Sequence, residues 1–431
     1  MESASANLRK NFSVHPFRNG IIAILLVLGL WSLFYRLLAG LGASTNLNDA
    51  WPWGIWISFK LCMVPMGGCG FVMAALVYIF GIEKLRPLLR LGVLCGMLLY
   101  AAFVILLIAD LGLPWRIYHP IYMWQPESIM FEIAWCVMLY LTVLIMEFLP
   151  NVAERLPNLA HLIRMVVMVI TGVVVVMIVA VFGKSIAAIG VAILALAIIA
   201  GGAYRRGWDL SHTIVVVLVI EGIILSVLHQ SSLGSLFLIT KHKMEALFFS
   251  PLIPFFFFIT SITGGLALLM SVGIATSWAV NRKIEMPVYQ QIAGYLPYVL
   301  AFYLVFRVMD IVIRGNAFDA FEPTITTSIF WFEILIGVVA PMTLYLLPDV
   351  LRSERGIFWT SVLVVFGLWE NRFIWTLLGQ HPFSMSGQSY FPSFMEFMIL
   401  ILMVILLGIT YRFLVRNVPV FPEGPLAEKR L

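Results

Sequence analysis

Residues 88–110 read LLRLGVLCGMLLYAAFVILLIAD, and the only charged residues in this stretch are Arg90 and Asp110. Every residue between these two is apolar, aromatic or glycine. A helix needs about 20 predominantly apolar residues to cross the ~30 Å hydrocarbon core of a bilayer. The stretch therefore predicts a transmembrane helix that ends at Asp110.

Similar blocks recur along all 431 residues, of which 62% are hydrophobic and 11% charged. Soluble domains carry about 25% charged residues, so the composition excludes a soluble fold. We predict an all-α, polytopic membrane protein with a transmembrane domain at 21–414, an N-terminal tail at 1–20 and a C-terminal tail at 415–431. Its twelve predicted spans are 21–41, 54–80, 88–110, 127–149, 162–183, 186–204, 212–232, 250–280, 291–313, 326–347, 357–378 and 392–414.

The distribution of Lys and Arg predicts the orientation of these spans. With the N-terminus inside and twelve alternating spans, the inner segments hold eighteen basic residues and the outer segments hold five. Cytoplasmic loops carry the basic excess. Merging 162–183 with 186–204 into one span reverses every later loop and removes the bias. We therefore expect both termini in the cytoplasm.

Polar and aromatic residues collect on the predicted outer face. An interfacial aromatic belt explains many of the Trp and Tyr residues. It does not explain why the inner loops are basic turns with few aromatic residues. We therefore favour a binding site at the outer helix ends, where Lys60 and Glu132 are expected to meet. The candidate residues are Trp53, Trp56, Asp110, His119, Tyr122, Glu132, His229 and Gln230.

Ionisable residues inside transmembrane helices are costly and mark pairs or pathways. Arg307 and Asp310 are three residues apart on one helix, so we predict that they form a structural ion pair. Glu221 lies near the middle of its span and is a candidate for a proton path, together with Lys60 and Glu132.

The histidines and cysteines argue against resident redox groups. A b-type haem needs axial histidines at membrane depth, whereas all seven histidines are predicted in tails, loops or helix ends. The four cysteines lie in apolar blocks without the clustering that iron–sulfur ligation requires. We predict that this chain holds no haem, no iron–sulfur cluster and no metal.

Several strings resemble the NrfD/PsrC family of quinone-interacting membrane subunits, and most closely its HybB-like branch from nickel–iron hydrogenases. The resemblance extends over residues 46–396 and rests on strings that occur in the family's order. They are Leu47–Asn48–Asp49 with Trp51–Pro52–Trp53–Gly54–Ile55–Trp56 and Gly67–Gly68, Asp110–Leu111–Gly112, Ser128–Ile129–Met130–Phe131–Glu132, Glu147–Phe148 with Glu154–Arg155–Leu156, His229–Gln230–Ser231–Ser232–Leu233–Gly234–Ser235, Arg307 with Asp310, and Tyr390–Phe391–Pro392 with Glu396.

The resemblance implies two four-helix bundles in a bacterial cytoplasmic (inner) membrane. It also implies electron transfer between membrane quinone, either menaquinone or ubiquinone, and a periplasmic iron–sulfur (ferredoxin-like) subunit. A further redox subunit would be a hydrogenase, a molybdopterin-type enzyme or a multihaem cytochrome c. Two differences favour a complex other than a hydrogenase: 162–204 resembles an extra helical hairpin, and Lys60 stands where that branch is expected to have an acidic residue.

Two other functions are compatible with the residues. A secondary transporter would use broken helices and charges near the membrane midplane, often in two related halves. Here only Glu221 and the pair Arg307 and Asp310 are predicted to lie deep, and the two halves show no symmetry. The second alternative is a quinone site that also translocates protons through Lys60, Glu132 and Glu221.

Overall fold

The computed structural model describes residues 16–183, 187–196, 210–380 and 390–421. Within these residues, eleven helical segments are long and apolar enough to span a membrane. This confirms the predicted polytopic helical membrane bundle. The segments are α1 (Phe17–Ala39), α2 (Ile55–Ile79), α3 (Glu83–Asp110), α4 (Ile129–Ala153), α5 (Pro157–Phe182), α6 (Ile214–Ser235), α7 (Ile253–Ala279), α8 (Met286–Ile313), α9 (Ile325–Leu346), α10 (Glu354–Leu378) and α11 (Phe394–Asn417).

The structure changes some predicted boundaries. Helix α1 begins inside the predicted tail 1–20, and α11 extends past residue 414 to Asn417. The predicted span 186–204 falls partly outside the described residues, and its described part forms a shorter apolar helix, Ala187–Leu196. Of the predicted hairpin 162–204, the first arm is α5, which packs against α4 and α6.

Eight of the helices form two four-helix bundles, as the resemblance implied. The first bundle consists of α2, α3, α4 and α6, and the second consists of α7 to α10. The bundles meet where α7 packs along α2 and α6, and where α10 packs on α2. Three helices contain π-helical stretches, at Ala75–Ile79 in α2, Glu333–Val339 in α9 and Ile374–Leu378 in α10.

Glycines bring the backbones together at the two central crossings. A Cβ on Gly96 of α3 would lie 2.8 Å from the Gly67 carbonyl oxygen of α2. A Cβ on Gly265 of α7 would lie 2.9 Å from the backbone nitrogen of Cys69 in α2. Small residues permit such close approach of transmembrane helices, and α2 is consequently packed from both sides.

Helices α1 and α11 pack on each other and against α3, outside the two bundles. Their crossing is also close, because a Cβ on Gly29 would lie 2.6 Å from the Cβ of Leu402. The segment that follows α1 is joined to α11 by a hydrogen bond from the Asn46 backbone nitrogen to Oε2 of Glu396, 3.1 Å long.

Hydrogen bonds show which helix ends share a side of the protein. The Asp110 face comprises residues 40–54, 111–128, 236–252, 314–324 and 390–393. The opposite face includes Arg90 and Glu154, whose Nη2 and Oε1 atoms are 2.7 Å apart. Helices α4 and α6 run antiparallel, since Ser232 contacts Glu132 while Gly222 lies beside Val143. Phe182 therefore ends α5 at the Asp110 face, whereas α6 begins at the opposite face.

Candidate functional site

An ion pair joins the ends of two helices beneath the Asp110 face. Nζ of Lys60 on α2 lies 2.5 Å from Oδ2 of Asp110, the last residue of α3, and the two side chains are 5% and 13% exposed. The prediction that Lys60 meets Glu132 is therefore wrong. Lys60 shares a helix face with Trp56, which faces α3 and α11, whereas Glu132 faces α6.

Glu132 lies in the first turn of α4, where the unpaired backbone N–H groups favour a carboxylate. Its Oε1 atom accepts a hydrogen bond from the Ser232 hydroxyl of α6. This bond connects the Asp110-face ends of α4 and α6. The Glu132 carboxylate therefore lies at the Asp110-face end of the first bundle and is not part of the Lys60–Asp110 pair.

His229 lies deeper than the sequence predicted. It was expected at a helix end, but it is fully buried within α6 and packs edge-on against Tyr100 and Phe103 of α3. Neither ring nitrogen has a hydrogen-bond partner in the described structure. The adjacent Gln230 donates from Nε2 to the Val64 carbonyl oxygen at 3.0 Å, and its own Oε1 atom stays unpartnered there.

Buried polar groups continue along α6 below His229. The oxygens of Tyr100, Tyr140, Ser226 and Glu221 are enclosed and have no hydrogen-bond partner among the described residues. Glu221 is only 4% exposed. Buried polar groups normally find a protein or water partner, so this column of groups is suited to ordered water.

The two predicted tryptophans point in different directions. Trp56 is buried and donates from Nε1 to the Glu396 carbonyl oxygen of α11 at 3.0 Å. Trp53 packs edge-on against Phe237, with ring centroids 5.5 Å apart, towards the second bundle. They therefore line different sides of α2.

His119 and Tyr122 lie in a short surface helix, His119–Tyr122, on the Asp110 face. Their rings contact each other with centroids 5.5 Å apart, and the Tyr122 side chain is 55% exposed. Trp135 attaches this helix to α4 by donating to the Pro120 carbonyl oxygen. In the described structure, no hydrogen bond joins His119 or Tyr122 to the Lys60–Asp110 pair.

A family model described as polysulphide reductase, NrfD, matches residues 43–384. The chain belongs to the NrfD family. The matched residues include both bundles and all the candidate site residues described above.

Three relatives match this NrfD-family chain over nearly its whole length. A protein of Nitratidesulfovibrio vulgaris is 32% identical, and the match covers 94% of this chain and 95% of that protein. The probable Ni/Fe-hydrogenase 2 b-type cytochrome subunit of Escherichia coli is 24% identical, and the match covers 93% of this chain and 92% of that protein. The integral membrane subunit of menaquinone reductase from N. vulgaris is 24% identical, covering 91% and 89%.

The predicted ion pair between Arg307 and Asp310, in the second bundle of this NrfD protein, is wrong. Asp310 pairs with Arg314, one turn further along α8, at 3.0 Å and accepts a hydrogen bond from Ser250. Arg307 instead donates to the Leu247 carbonyl oxygen and lies among aromatic rings. A spacing of three residues permits contact, but Arg314 at a spacing of four is the residue that reaches Asp310.

The second bundle also contains a buried polar network that the sequence analysis did not predict. Nδ2 of Asn371 lies 2.5 Å from Oε1 of Glu333, which also accepts a hydrogen bond from Tyr303 at 3.3 Å. Arg372 contacts Asn371 and donates to Thr260 at 2.7 Å. The network thereby connects four helices of this bundle.

A second unpredicted network lies where α11 meets α2. The Tyr390 hydroxyl donates to Oε1 of Glu396 at 2.5 Å and accepts from the Ile55 backbone nitrogen at 3.0 Å. Burial, together with the Glu396 contact, raises the pKa of the Tyr390 phenol above its usual range, so Tyr390 stays a neutral donor. This network fixes the start of α2, from which Lys60 projects.

The described residues contain no group of three or more His, Cys, Asp or Glu side chains that could hold a metal ion. The predicted absence of haem and of an iron–sulfur cluster stays a prediction. The name of the E. coli relative includes a b-type cytochrome, and that description applies to the relative.

Proposed function

We propose that this chain is the quinone-interacting membrane subunit of a respiratory redox complex. It exchanges electrons between a partner subunit at the Asp110 face and quinone in the bilayer. One observation carries the proposal: within the family-matched residues, the first bundle gathers Lys60, Asp110, Glu132 and His229 at and beneath one face, among apolar helices. Membership of the NrfD family and the menaquinone reductase relative support it.

The chemistry of quinones fits this arrangement. A quinone has an apolar tail that suits lipid and helix surfaces, and two carbonyl oxygens that require a few polar partners. Quinone and quinol differ by two electrons and two protons, so proton donors and acceptors must lie close to the carbonyls. Asp110, Glu132 and His229 supply groups of that kind, with Gln230, Trp53, Trp56, His119 and Tyr122 as the further proposed lining.

Glu132 and Glu221 are the proposed ends of a proton route within the first bundle. His229, Tyr100 and Tyr140 lie between these two levels and offer polar atoms without partners in the described structure. Ordered water can bridge such groups. Lys60 does not contact Glu132, so its proposed role passes through Asp110.

The proposed partner is an iron–sulfur subunit, itself joined to a further redox subunit. Aromatic residues project from the Asp110 face, including Trp115 at 62% exposed and Phe318 at 85% exposed. Exposed apolar residues of this kind suit a protein interface. The excess of basic residues on the opposite face supports a bacterial cytoplasmic membrane location with both termini inside and the Asp110 face outside.

The proposal is tested by measuring quinone-linked turnover of the purified complex carrying Asp110→Asn. We expect turnover per assembled complex to fall by about a hundredfold, because asparagine cannot exchange a proton, while electron transfer among the soluble subunits to an artificial acceptor stays intact. Glu83→Gln, which changes an exposed carboxylate of the opposite face, is the matched control. Unchanged quinone turnover in Asp110→Asn would refute the assignment.

A further inference from the structure

Arg36 is a fully buried arginine on the packed side of α1, a helix whose other side is exposed. Its side chain is 1% exposed, whereas its neighbours Phe34 and Leu38 are 64% and 73% exposed. A charged residue within a transmembrane helix is costly unless it has partners or a function. Helix α1 lies outside residues 43–384, so Arg36 is not part of the family match.

The guanidinium of Arg36 binds the backbone on both sides of Asp110. Nε lies 2.8 Å from the Ala109 carbonyl oxygen, and Nη2 lies 2.5 Å from the Leu111 carbonyl oxygen. The last carbonyl groups of a helix have no partner within the helix. Arg36 supplies partners for the Ala109 and Leu111 carbonyl groups at the end of α3, and it thereby holds the peptide group before Asp110 and the one after Leu111.

The charge of Arg36 also offsets an unfavourable position of Asp110. The C-terminal end of a helix carries partial negative charge and disfavours a carboxylate, yet Asp110 is the last residue of α3. The positive guanidinium lies at this helix end. Lys60 approaches the Asp110 carboxylate from α2, while Arg36 from α1 binds the backbone on either side of Asp110.

We propose that Arg36 is a positioning residue that acts on quinone chemistry through Asp110. This inference rests on the proposed function, because it assigns to Arg36 the task of aiming the Asp110 carboxylate. Arg36 donates both of these hydrogen bonds to backbone carbonyl oxygens, so it is not proposed to touch the quinone. Helix α1 accordingly takes part in the site, although the family match does not include it.

The inference is tested by a double-mutant cycle on the assembled complex, with turnover of a water-soluble short-chain quinone as the readout. Variants are Arg36→Gln, Arg36→Lys, Asp110→Asn and the double change Arg36→Gln with Asp110→Asn. Arg18→Gln, an exposed arginine on the same helix, is the control. All rates are expressed per assembled complex, so that a loss of folded protein is separated from a loss of turnover.

We expect Arg36→Gln to lower turnover by about tenfold and Arg36→Lys to lower it less, because lysine keeps the charge. In the Asp110→Asn background, Arg36→Gln should cause no further loss, since residues that act as a unit are not additive. Additive losses would overturn the inference and leave the proposed function standing. Normal turnover in Asp110→Asn would overturn both, and failure of both Arg36 variants to assemble would show a purely structural role.

Discussion

Nζ of Lys60 lies 2.5 Å from Oδ2 of Asp110, and this contact joins α2 to α3 beneath the Asp110 face. Both side chains are nearly enclosed, so removing one partner leaves a buried charge without compensation. Such a loss costs about 3–5 kcal/mol, whereas replacing both partners is often close to neutral. Single and double substitutions can therefore separate the contribution of the pair to stability from its proposed contribution to quinone turnover.

Lys60→Met alone should lower the abundance of the complex, because it leaves the Asp110 carboxylate unpaired. The double change Lys60→Met with Asp110→Asn should restore abundance but not quinone turnover. Immunoblots of membranes and quinone-linked activity measure these two effects separately. Full activity in the double variant would show that the pair has a structural role only.

Glu132→Gln should leave assembly near normal and abolish most quinone-linked turnover, because glutamine keeps a hydrogen-bond acceptor for Ser232 but cannot exchange a proton. Ser232→Ala is the matched control and should lose about 1 kcal/mol of stability with activity retained. Lys60→Met should not rescue Glu132→Gln, since the two residues do not contact each other. Rescue would mean that the Lys60–Asp110 pairing is not maintained in the membrane.

The isolated chain should show no b-type band in a reduced-minus-oxidised absorption spectrum. Among the histidines whose side-chain burial the structure describes, His229 alone is buried within a bundle, and its ring packs against Tyr100 and Phe103. Two facing histidines are the usual ligands of a haem within a bundle. Any b-type band from the isolated chain would contradict this prediction, and its loss in His229→Ala would identify His229 as a ligand.

Reporter fusions should place residues 81, 207 and 431 in the cytoplasm and the 381–388 segment outside. The contact between Ser232 and Glu132 requires the end of α6 to share a side with the start of α4, as the twelve-span topology demands. Residue 207 lies outside the described part of the chain, so its fusion tests the predicted span 186–204 directly. If the fusion at residue 207 reports the outer side, the chain cannot cross the membrane twice between α4 and α6.

Gly265→Ala should lower the unfolding free energy of the purified protein by about 1–3 kcal/mol, measured by thermal unfolding. The added methyl group would collide with the backbone of Cys69 at the junction of the two bundles. Gly172→Ala on α5 is the control, since nothing lies within 4 Å of its Cβ position. Equal stability of the two variants would show that the bundles separate easily.

The sequence predicted the helical membrane bundle and the family, and its list of site residues stays a prediction, but some predicted contacts are wrong. Apolar length and basic-residue bias are properties of single segments, so they can be interpreted without the partner helix. Lys60 and Asp110 were both recognised, yet Lys60 was assigned to Glu132. Spacing along a helix does not determine which neighbouring helix a side chain faces.

Arg36 shows a different limit. A lone arginine in an apolar span was a usable signal for a buried partner, but its partners are the carbonyl oxygens of Ala109 and Leu111. Every residue has a backbone carbonyl oxygen, so the amino-acid sequence does not show which carbonyl groups Arg36 binds. The network of Glu333, Asn371 and Arg372 was missed because its helices come together only through the packing of the second bundle.

The pairing of α1 with α11 can form only late in biosynthesis. Asn46, which follows α1, and its partner Glu396 in α11 are separated by 350 residues. At a synthesis rate of 5–20 residues per second, α11 enters the membrane about 20–70 s after α1. During that interval the nascent chain lacks the α11 contacts that hold α1, with Arg36, beside the end of α3. The growing polypeptide thus acquires its complete Asp110 environment only when one of the last helices to be translated has inserted.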